Sequence, residues 1–464
     1  MIDHRKRWLA LYVLCFGVLM IVLDTTIVNV ALPSIKEDLG FSEASLVWVV
    51  NAYMLTFGGF LLLGGRLGDL YGHRRLFLHG LVLFTLASLA CGLANSQWLL
   101  VTARAVQGLG GAVVSAVALS LMMNIFTEPG ERAKAMGVYG FVCAAGGSIG
   151  VLLGGVLTTA INWHWTFLVN LPIGAAVYAL CRVLLPDSRG PSRGGRLDVG
   201  GAVTVTVALM LAVYAIVNAE LGLLVAAGVL FALFLAIEAR VPAPLMPLGL
   251  FRLRNLATAN VVGVLWAAAM FAWFFISALY MQLVLGYSAL QVGLAFLPAN
   301  LIMGALSLGL SAKIVMRFGI RAPLAGGLLL VAVGLALFAR APVNGGFVPD
   351  VLPGMLILGL GCGVAMNPVL LAAMSDVAPG ESGLASGIVN TSFMMGGALG
   401  LAVLASLAAA RSEGQLLLGA TTNAALNAGY QLAFLIGAVF AAAAAVLSAL
   451  LLRARPAVRA TASA

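Results

Sequence analysis

The stretch LDTTIVNVALP (residues 23–33) carries one carboxylate, Asp24, inside a run that begins at Trp8 and contains no other charge. An apolar run of about 18 residues or more is long enough to cross a bilayer as a helix. A charge at the centre of such a helix costs roughly 2.5 to 3.5 kcal/mol on insertion scales. Packing alone favours Val or Leu at this position, so Asp24 is a candidate functional residue.

The same composition extends along the whole chain. Its 464 residues are 62% hydrophobic and 9% charged, whereas a soluble domain carries about a quarter charged residues. Residues 135–181 and 255–312 contain no Asp, Glu, Lys or Arg, and each is long enough for two spans. Division at polar and Gly/Pro breaks predicts fourteen transmembrane helices. We therefore predict an all-α, polytopic membrane protein.

Basic residues indicate the orientation, because Lys and Arg concentrate in cytoplasmic loops. A cytoplasmic N-terminus places nearly all of them on the inner side and leaves Lys36, Arg340 and Arg411 outside. An even number of helices then places both termini in the cytoplasm and the protein in the cytoplasmic (inner) membrane. The net charge of +9 reflects this topology, and no nucleic-acid partner is expected.

A weak internal repeat divides the chain. GRLGDLYGHRR (residues 65–75) is echoed by AKIVMRFGIRA (residues 312–322), and homologous halves are usual in secondary transporters. We predict an N-terminal six-helix bundle over 1–186, two additional helices with linkers over 187–254, and a C-terminal six-helix bundle over 255–464.

Neither catalysis nor a bound cofactor is predicted. The sequence contains no GxxxxGK[ST] motif for ATP phosphates, so transport would draw on an ion gradient. The five cysteines lie in apolar segments and lack the paired spacing of a disulfide framework or a zinc site. We predict a monomer that is not an enzyme and has no metal.

Five motifs carry a family resemblance. They are LDTTIVNVALP (23–33), WVVNAYML (48–55), GGRLGDLYGHRR (64–75), RAVQGLGGA (104–112) and WHWTFLVNLPIG (163–174). In this order they resemble the major facilitator superfamily, and within it the fourteen-helix drug/proton antiporter family of EmrB/QacA type. The resemblance implies the major facilitator fold, with two six-helix bundles, two extra central helices and transport by alternating access.

Two positions depart from that family. Residues 150–155 read GVLLGG where the family typically has Gly-Pro-x-x-Gly-Gly, so Val151 replaces a proline that would kink the helix. A bend that gates transport would then depend on the glycines Gly150, Gly154 and Gly155. The alternative is that these glycines only allow close packing between helices. NTSFMMGG (390–397) lacks the Arg-Gln pair that the family often carries.

Asp24 and Arg104 are the predicted proton-coupling pair. Burial favours a neutral carboxyl and a nearby cation favours a carboxylate, so a group between these influences can exchange a proton. Arg104 is the basic residue placed well inside a helix and needs a partner, for which Gln107 and Asp24 are candidates. The resemblance supports the pair, because helices 1 and 4 adjoin in the family. A fixed structural pair that never titrates is the alternative.

Two further groups are predicted from composition and resemblance. Arg66, Gly68, Asp69 and Arg74 form either a solvated loop or, as the resemblance implies, a conformational latch. A substrate cavity is predicted from two aromatic residues that suit lipophilic cations and from polar residues on other helices: Trp273, Phe274, Asn51, Tyr53, Gln107, Asn390 and Thr391. For the two aromatic residues, contact with lipid or ordinary packing is the alternative.

The expected function is proton-coupled export of small amphipathic or cationic compounds from the cytoplasm. Its partners are a small lipophilic or cationic substrate, protons and the lipid bilayer. An exporter of one metabolite, antibiotic or siderophore is the first alternative. A membrane sensor that moves nothing, or an importer, is a further one, since a fold does not fix a direction of transport.

Overall fold

The computed structural model describes residues 4–126, 128–185, 198–242, 244–306, 310–377 and 382–452, in which every regular element is helical. The N-terminal half contains α1 His4–Leu39, α2 Trp48–Tyr71, α3 His73–Gly92, α4 Gln97–Ile125, α5 Pro129–Ala160, α6 Trp165–Leu168 and α7 Asn170–Leu184. The central pair is α8 Val199–Val217 and α9 Leu221–Glu238. The C-terminal half contains α10 Arg254–Leu279, α11 Ala289–Ala305, α12 Ser311–Phe318, α13 Arg321–Phe338, α14 Leu352–Met374, α15 Ser382–Leu417 and α16 Thr422–Leu451.

The all-α, polytopic membrane class is confirmed. Within the described ranges, 12 helices are long and apolar enough to cross a membrane by length and composition. Two more apolar helices are shorter, Ala145–Ala160 within α5 and Ala289–Ala305, which is α11. These two coincide with segments predicted to span, so a total of fourteen stays a prediction.

Hydrogen bonds between connecting segments define one end of the helix bundle. Gln97 Nε2, at the start of α4, donates to the carbonyl oxygen of Leu39 at 3.0 Å. Trp163 Nε1, between α5 and α6, donates to Asp38 Oδ2 at 3.0 Å. The segments that follow α1, α3 and α5 therefore meet at one end, called here the distal end. The opposite, proximal end holds the start of α1.

The two copies of the predicted repeat lie at similar turns. Gly72 separates α2 from α3 with φ 93°, and Gly319 separates α12 from α13 with φ 75°. Side chains other than hydrogen are disfavoured at such positive φ values. The glycines of the two repeat units are thus explained by the same backbone requirement.

Glycines on α5 allow it to approach α1 closely. A Cβ on Gly146 would lie 2.8 Å from Val22 Cγ1, and one on Gly154 would lie 2.5 Å from the carbonyl oxygen of Ile27. Gly150, between them in this stripe, packs against Thr26. α5 is helical through Val151, and its glycine face lies against the stretch of α1 that contains Asp24.

The two halves meet through α2 with α15 and through α5 with α11. A Cβ on Gly155 would lie 2.6 Å from the carbonyl oxygen of Ala289, and one on Gly293 would lie 2.9 Å from that of Val151. Because the higher number on one helix meets the lower number on the other, α5 and α11 are antiparallel. Their backbones are in direct contact near the distal end.

Gly155→Ala is expected to destabilise the protein, because the new methyl group meets the α11 backbone and forces the halves apart. Overpacking of this kind costs typically about 1 to 3 kcal/mol. Gly147→Ala is the matched control on the same helix, since a Cβ there meets nothing within 4 Å. Thermal unfolding of purified protein, followed by tryptophan fluorescence, measures the difference. Equal midpoints for the two variants would show that the contact tolerates a methyl group.

Candidate functional site

Asp24 lies on α1 with 0% of its surface exposed. The hydroxyl groups of its neighbours Thr25 and Thr26 donate to the carbonyl oxygen of Val22 in the same helix, at 2.7 and 3.2 Å. Those two side chains are therefore satisfied by the backbone of α1. The carboxylate of Asp24, in contrast, takes its donors from other helices.

Two helices supply the donors to this carboxylate. Asp24 Oδ2 forms an ion pair with Nη1 of Arg104 on α4. Asp24 Oδ1 accepts from Nε2 of Gln107 on α4 at 2.7 Å and from Nδ2 of Asn170 on α7 at 2.9 Å. Charge-assisted hydrogen bonds are stronger than neutral ones. The carboxylate thus ties α1 to α4 and α7 at one point inside the N-terminal half.

Arg104 is held by several contacts at once and is 1% exposed. Its Nε donates to the carbonyl oxygen of Val49 on α2 at 2.9 Å, and its Nη1 also donates to Gln107 Oε1 at 2.7 Å. Its guanidinium carbon lies 4.4 Å from the ring centroid of Tyr53. A planar guanidinium has enough directed donors for this arrangement, whereas a lysine ammonium is a point charge.

Two residues of α3 complete the site. Ser88 Oγ accepts from Gln107 Nε2 at 2.7 Å and from Asn170 Nδ2 at 3.3 Å. The thiol of Cys91 donates to Gln107 Oε1 at 3.7 Å. Gln107 therefore forms hydrogen bonds with Asp24, with Arg104 and with both of these α3 residues.

Ser88, Cys91 and Asn170 were not among the predicted site residues. Asn170 lies within the motif of residues 163–174, in a run without charge. A carboxamide inside a membrane segment is costly without a hydrogen-bond partner. This cost could have identified Asn170 as a site residue from the sequence. Ser88 gave no comparable signal, because a serine can bond to its own helix.

Two buried polar atoms of the site have no hydrogen-bond partner among the described residues, Tyr53 Oη and Asn170 Oδ1. A buried polar group without a partner costs about 1 to 3 kcal/mol. These atoms are therefore places where a water molecule, a substrate group or a rearranged side chain would gain a hydrogen bond.

The family model described as Major Facilitator Superfamily matches residues 14–401, a range that contains this site and reaches α15. The chain belongs to the Major Facilitator Superfamily. It is 38% identical over 456 residues to the puromycin resistance protein pur8 of Streptomyces alboniger, covering 96% of this chain and 90% of that protein. It is 38% identical over 454 residues to the cephamycin export protein CmcT of Amycolatopsis lactamdurans, covering 95% and 92%.

A solved structure supports the fold of this superfamily. A bacterial homologue of the human lysosomal transporter Spinster, in an inward-facing and unoccupied conformation, has a TM-score of 0.69 and 16% identity, over 97% of each chain. The protein is thus a membrane protein with a transporter fold, and superfamily membership supports a transporter role rather than an enzyme.

Two hydrogen bonds between the two halves of this superfamily member lie at the distal end. Gln282 Nε2, beyond α10, donates to the carbonyl oxygen of Val30 on α1 at 3.1 Å. Tyr430 Oη on α16 donates to Glu43 Oε2 in the α1–α2 connection at 3.2 Å. With the α5–α11 contact, these bonds hold the halves together at that end.

A cavity of about 620 Å³ opens at the distal end between the halves. Residues from α1, α5 and the α10–α11 connection line it, among them Lys36, Glu37, Thr158, Thr159, Gln282 and Tyr287. Asp24 and Arg104 are not part of its wall. The cavity therefore does not open onto the buried ion pair.

The residues predicted to line a substrate cavity lie in several places. Tyr53 and Gln107 belong to the Asp24 site. Asn51 on α2 is buried and donates to the carbonyl oxygen of Ala398 on α15 at 2.8 Å, so it joins the two halves. Asn390 is exposed and donates to a carbonyl oxygen of its own helix at 3.1 Å.

The remaining predicted cavity residues belong to the C-terminal half. Thr391 on α15 is buried, and its Oγ1 has no hydrogen-bond partner in the described part of the chain. Trp273 and Phe274 on α10 pack against Phe296 on α11, with ring centroids 5.9 and 5.2 Å away. They form an aromatic cluster, and their contact with substrate stays a prediction.

The predicted latch lies at the proximal end. Arg74 Nη2 donates to the carbonyl oxygen of Arg182 near the end of α7 at 2.6 Å, a bond within the N-terminal half. Gly68 lets α2 pass close to the ring of His73, 3.0 Å from where a Cβ would lie. The side chain of Asp69 lies outside the described residues, and Arg66 is considered below. The latch stays a prediction.

Proposed function

We propose that the protein is a proton-coupled exporter of small amphipathic or cationic compounds that works by alternating access, of the fourteen-helix EmrB/QacA type. The single observation that carries the proposal is the buried Asp24–Arg104 ion pair inside the N-terminal half of a transporter fold. The names of two relatives, a puromycin resistance protein and a cephamycin export protein, support outward movement of antibiotics.

The coupling step follows from the contacts of Asp24. The carboxylate now accepts from Arg104, Gln107 and Asn170. A proton on Asp24 would remove the counter-charge of Arg104, which keeps the Val49 carbonyl oxygen, Gln107 Oε1 and the rings of Tyr53 and Phe167 as partners. Loss of that ion pair weakens the link between α1 and α4, and the free acceptor Asn170 Oδ1 offers an alternative bond. The proton would thus change how these helices pack.

The distal contacts define the state from which such a cycle starts. With both termini in the cytoplasm, as predicted, these contacts close the side of the protein that faces away from the cytoplasm, and substrate would enter when the proximal end opens. Opening the distal end breaks the Gln282–Val30 and Tyr430–Glu43 bonds and exposes Asp24 to protons from outside. Substrate leaves as the proton binds, and the proton is released when the proximal end reopens.

Proteoliposomes with an imposed pH gradient test the proposal. We expect purified protein to concentrate cationic and neutral amphipathic drugs only when the gradient is present. Uptake at the same rate without a gradient, or the absence of uptake for every compound on a broad panel, would contradict it.

A dependence on membrane voltage is expected to separate neutral from cationic substrates. One proton exchanged for one monovalent cation moves no net charge, so only the pH gradient drives it, at about 1.36 kcal/mol per pH unit. A neutral drug adds the voltage contribution of about 2.3 kcal/mol per 100 mV. Potassium-diffusion potentials imposed at fixed pH measure this difference. Equal voltage dependence for both substrate types would refute exchange of one proton for one substrate.

A narrow cargo is the second candidate, because both relatives are named for one antibiotic each. The same panel decides between the two candidates. Uptake of structurally unrelated cations supports a multidrug exporter, whereas uptake confined to one chemical scaffold supports a dedicated exporter.

A further inference from the structure

Two buried carboxyl groups meet at the proximal end, far along the chain from Asp24. Asp198 precedes α8 and caps it, because its Oδ1 accepts from the backbone N–H of Gly201 at 2.7 Å. Glu238 is the last residue of α9, and its Oε2 accepts from the backbone N–H of Met246 at 3.0 Å. The two residues are 4% and 3% exposed. One oxygen of each carboxyl group is thus satisfied by the backbone.

The other two oxygens face each other. Asp198 Oδ2 and Glu238 Oε1 are buried, and no donor from the described residues reaches them. Each lies 2.6 Å from the position that a Cβ on Gly201 would occupy, so the missing side chain of Gly201 makes room for both. Two ionised carboxylates this close repel each other. The contact becomes a hydrogen bond when one of the two oxygens carries a proton.

The surrounding charges favour one proton rather than a metal cation. Among the described residues, Arg66 on α2 is the positive side chain that acts on Glu238, and one arginine balances one of two carboxylates. A hard cation such as Na⁺ or Ca²⁺ takes several oxygen ligands, about six to eight for Ca²⁺, and the described residues supply only two unpartnered oxygens here. Leu63 of α2, Ala202 of α8 and Leu245 form a buried apolar cluster, and Ala202 directly follows Gly201.

We propose that Asp198 and Glu238 form a second proton-binding site, in which one proton is shared between Asp198 Oδ2 and Glu238 Oε1. The site does not depend on the identity of the transported compound or on Asp24. It joins the start of α8, the end of α9 and, through Met246, the linker to the C-terminal half. Release of the proton leaves two facing carboxylates, and their repulsion pushes these three segments apart.

Infrared difference spectroscopy of the full-length protein in lipid nanodiscs tests this site. Spectra recorded at acidic and alkaline pH are expected to contain the carbonyl stretch of a protonated carboxyl group that disappears as the pH rises. This band is expected to lose amplitude in Glu238→Gln and in Asp198→Asn, which keeps the oxygen that caps α8. It is expected to persist in Asp24→Asn and in the control Glu220→Gln, an exposed residue at the other end of α9.

Two results would overturn the proposal. The first is a band of unchanged amplitude in both Glu238→Gln and Asp198→Asn. The second is loss of the wild-type band on addition of Na⁺ or K⁺ at constant pH, which would show that the pair binds a metal cation. Transport is measured separately in Glu238→Gln. If this variant still transports, the proposed function of Asp24 stands, whatever the infrared band shows about the Asp198–Glu238 site.

Discussion

Asp24→Asn is expected to reduce transport driven by a pH gradient to the level of liposomes without protein. An asparagine has nearly the same shape and keeps an oxygen that can accept from Gln107 and Asn170, but it cannot take up a proton. Arg104 loses its counter-charge and retains the Val49 carbonyl oxygen and Gln107 Oε1. The variant is therefore expected to fold with reduced stability and to lose coupling. Uptake of a fluorescent cation into proteoliposomes measures the effect.

Asp38→Asn is the matched control for this experiment. Asp38 lies on the same helix, α1, is exposed, and bonds to Trp163 at the distal end. It is expected to transport at close to the wild-type rate. Wild-type uptake by Asp24→Asn would instead assign Asp24 to a purely structural ion pair.

Arg104→Leu is expected to destabilise the protein by about 3 to 5 kcal/mol, because it leaves the Asp24 carboxylate buried without a counter-charge. The double variant Asp24→Asn with Arg104→Leu removes both charges and is expected to recover most of the loss. Arg104→Lys keeps a charge but is expected to lose part of the directed bonds to Val49 and Gln107. Chemical unfolding in lipid nanodiscs measures each difference.

A surface arginine supplies the control. Arg340, at the end of α13, is exposed, and Arg340→Leu is expected to change the free energy of unfolding by less than about 1 kcal/mol. If Arg104→Leu costs no more than Arg340→Leu, or if the double variant is no more stable than the single one, Asp24 and Arg104 are not energetically coupled.

The class of fold could be predicted from the sequence because the hydrophobic requirement of a bilayer is strong. Long runs such as residues 8–33 and 135–181 leave few alternatives to membrane helices. The number of spans is less well determined, because the apolar helices Ala145–Ala160 and Ala289–Ala305 are shorter than the other candidates. The pairing of α5 with α11 depends on close backbone contacts, which composition does not specify.

The candidate site was predictable only in part. Asp24 and Arg104 stand out as charges where the bilayer disfavours charge, and the structure places them together. Ser88 and Asn170 need the register of α3 and α7 against α4, which sequence spacing does not give. Helices that are apolar on all sides also carry little periodicity. The sequence therefore does not show which helix faces are buried. Asn51 reaches across to α15 and Asn390 is exposed, but both are asparagines in similarly apolar helices.

Proton movement driven by substrate is the most direct measurement of the central claim that Asp24 exchanges its proton for cargo. A pH-sensitive dye in proteoliposomes reports it for the wild type and for Asp24→Asn. We expect a cationic drug to release protons from the wild type in proportion to the drug transported, with no release from the variant that still binds the drug. Equal proton release from both proteins would contradict the account and assign proton exchange to another group.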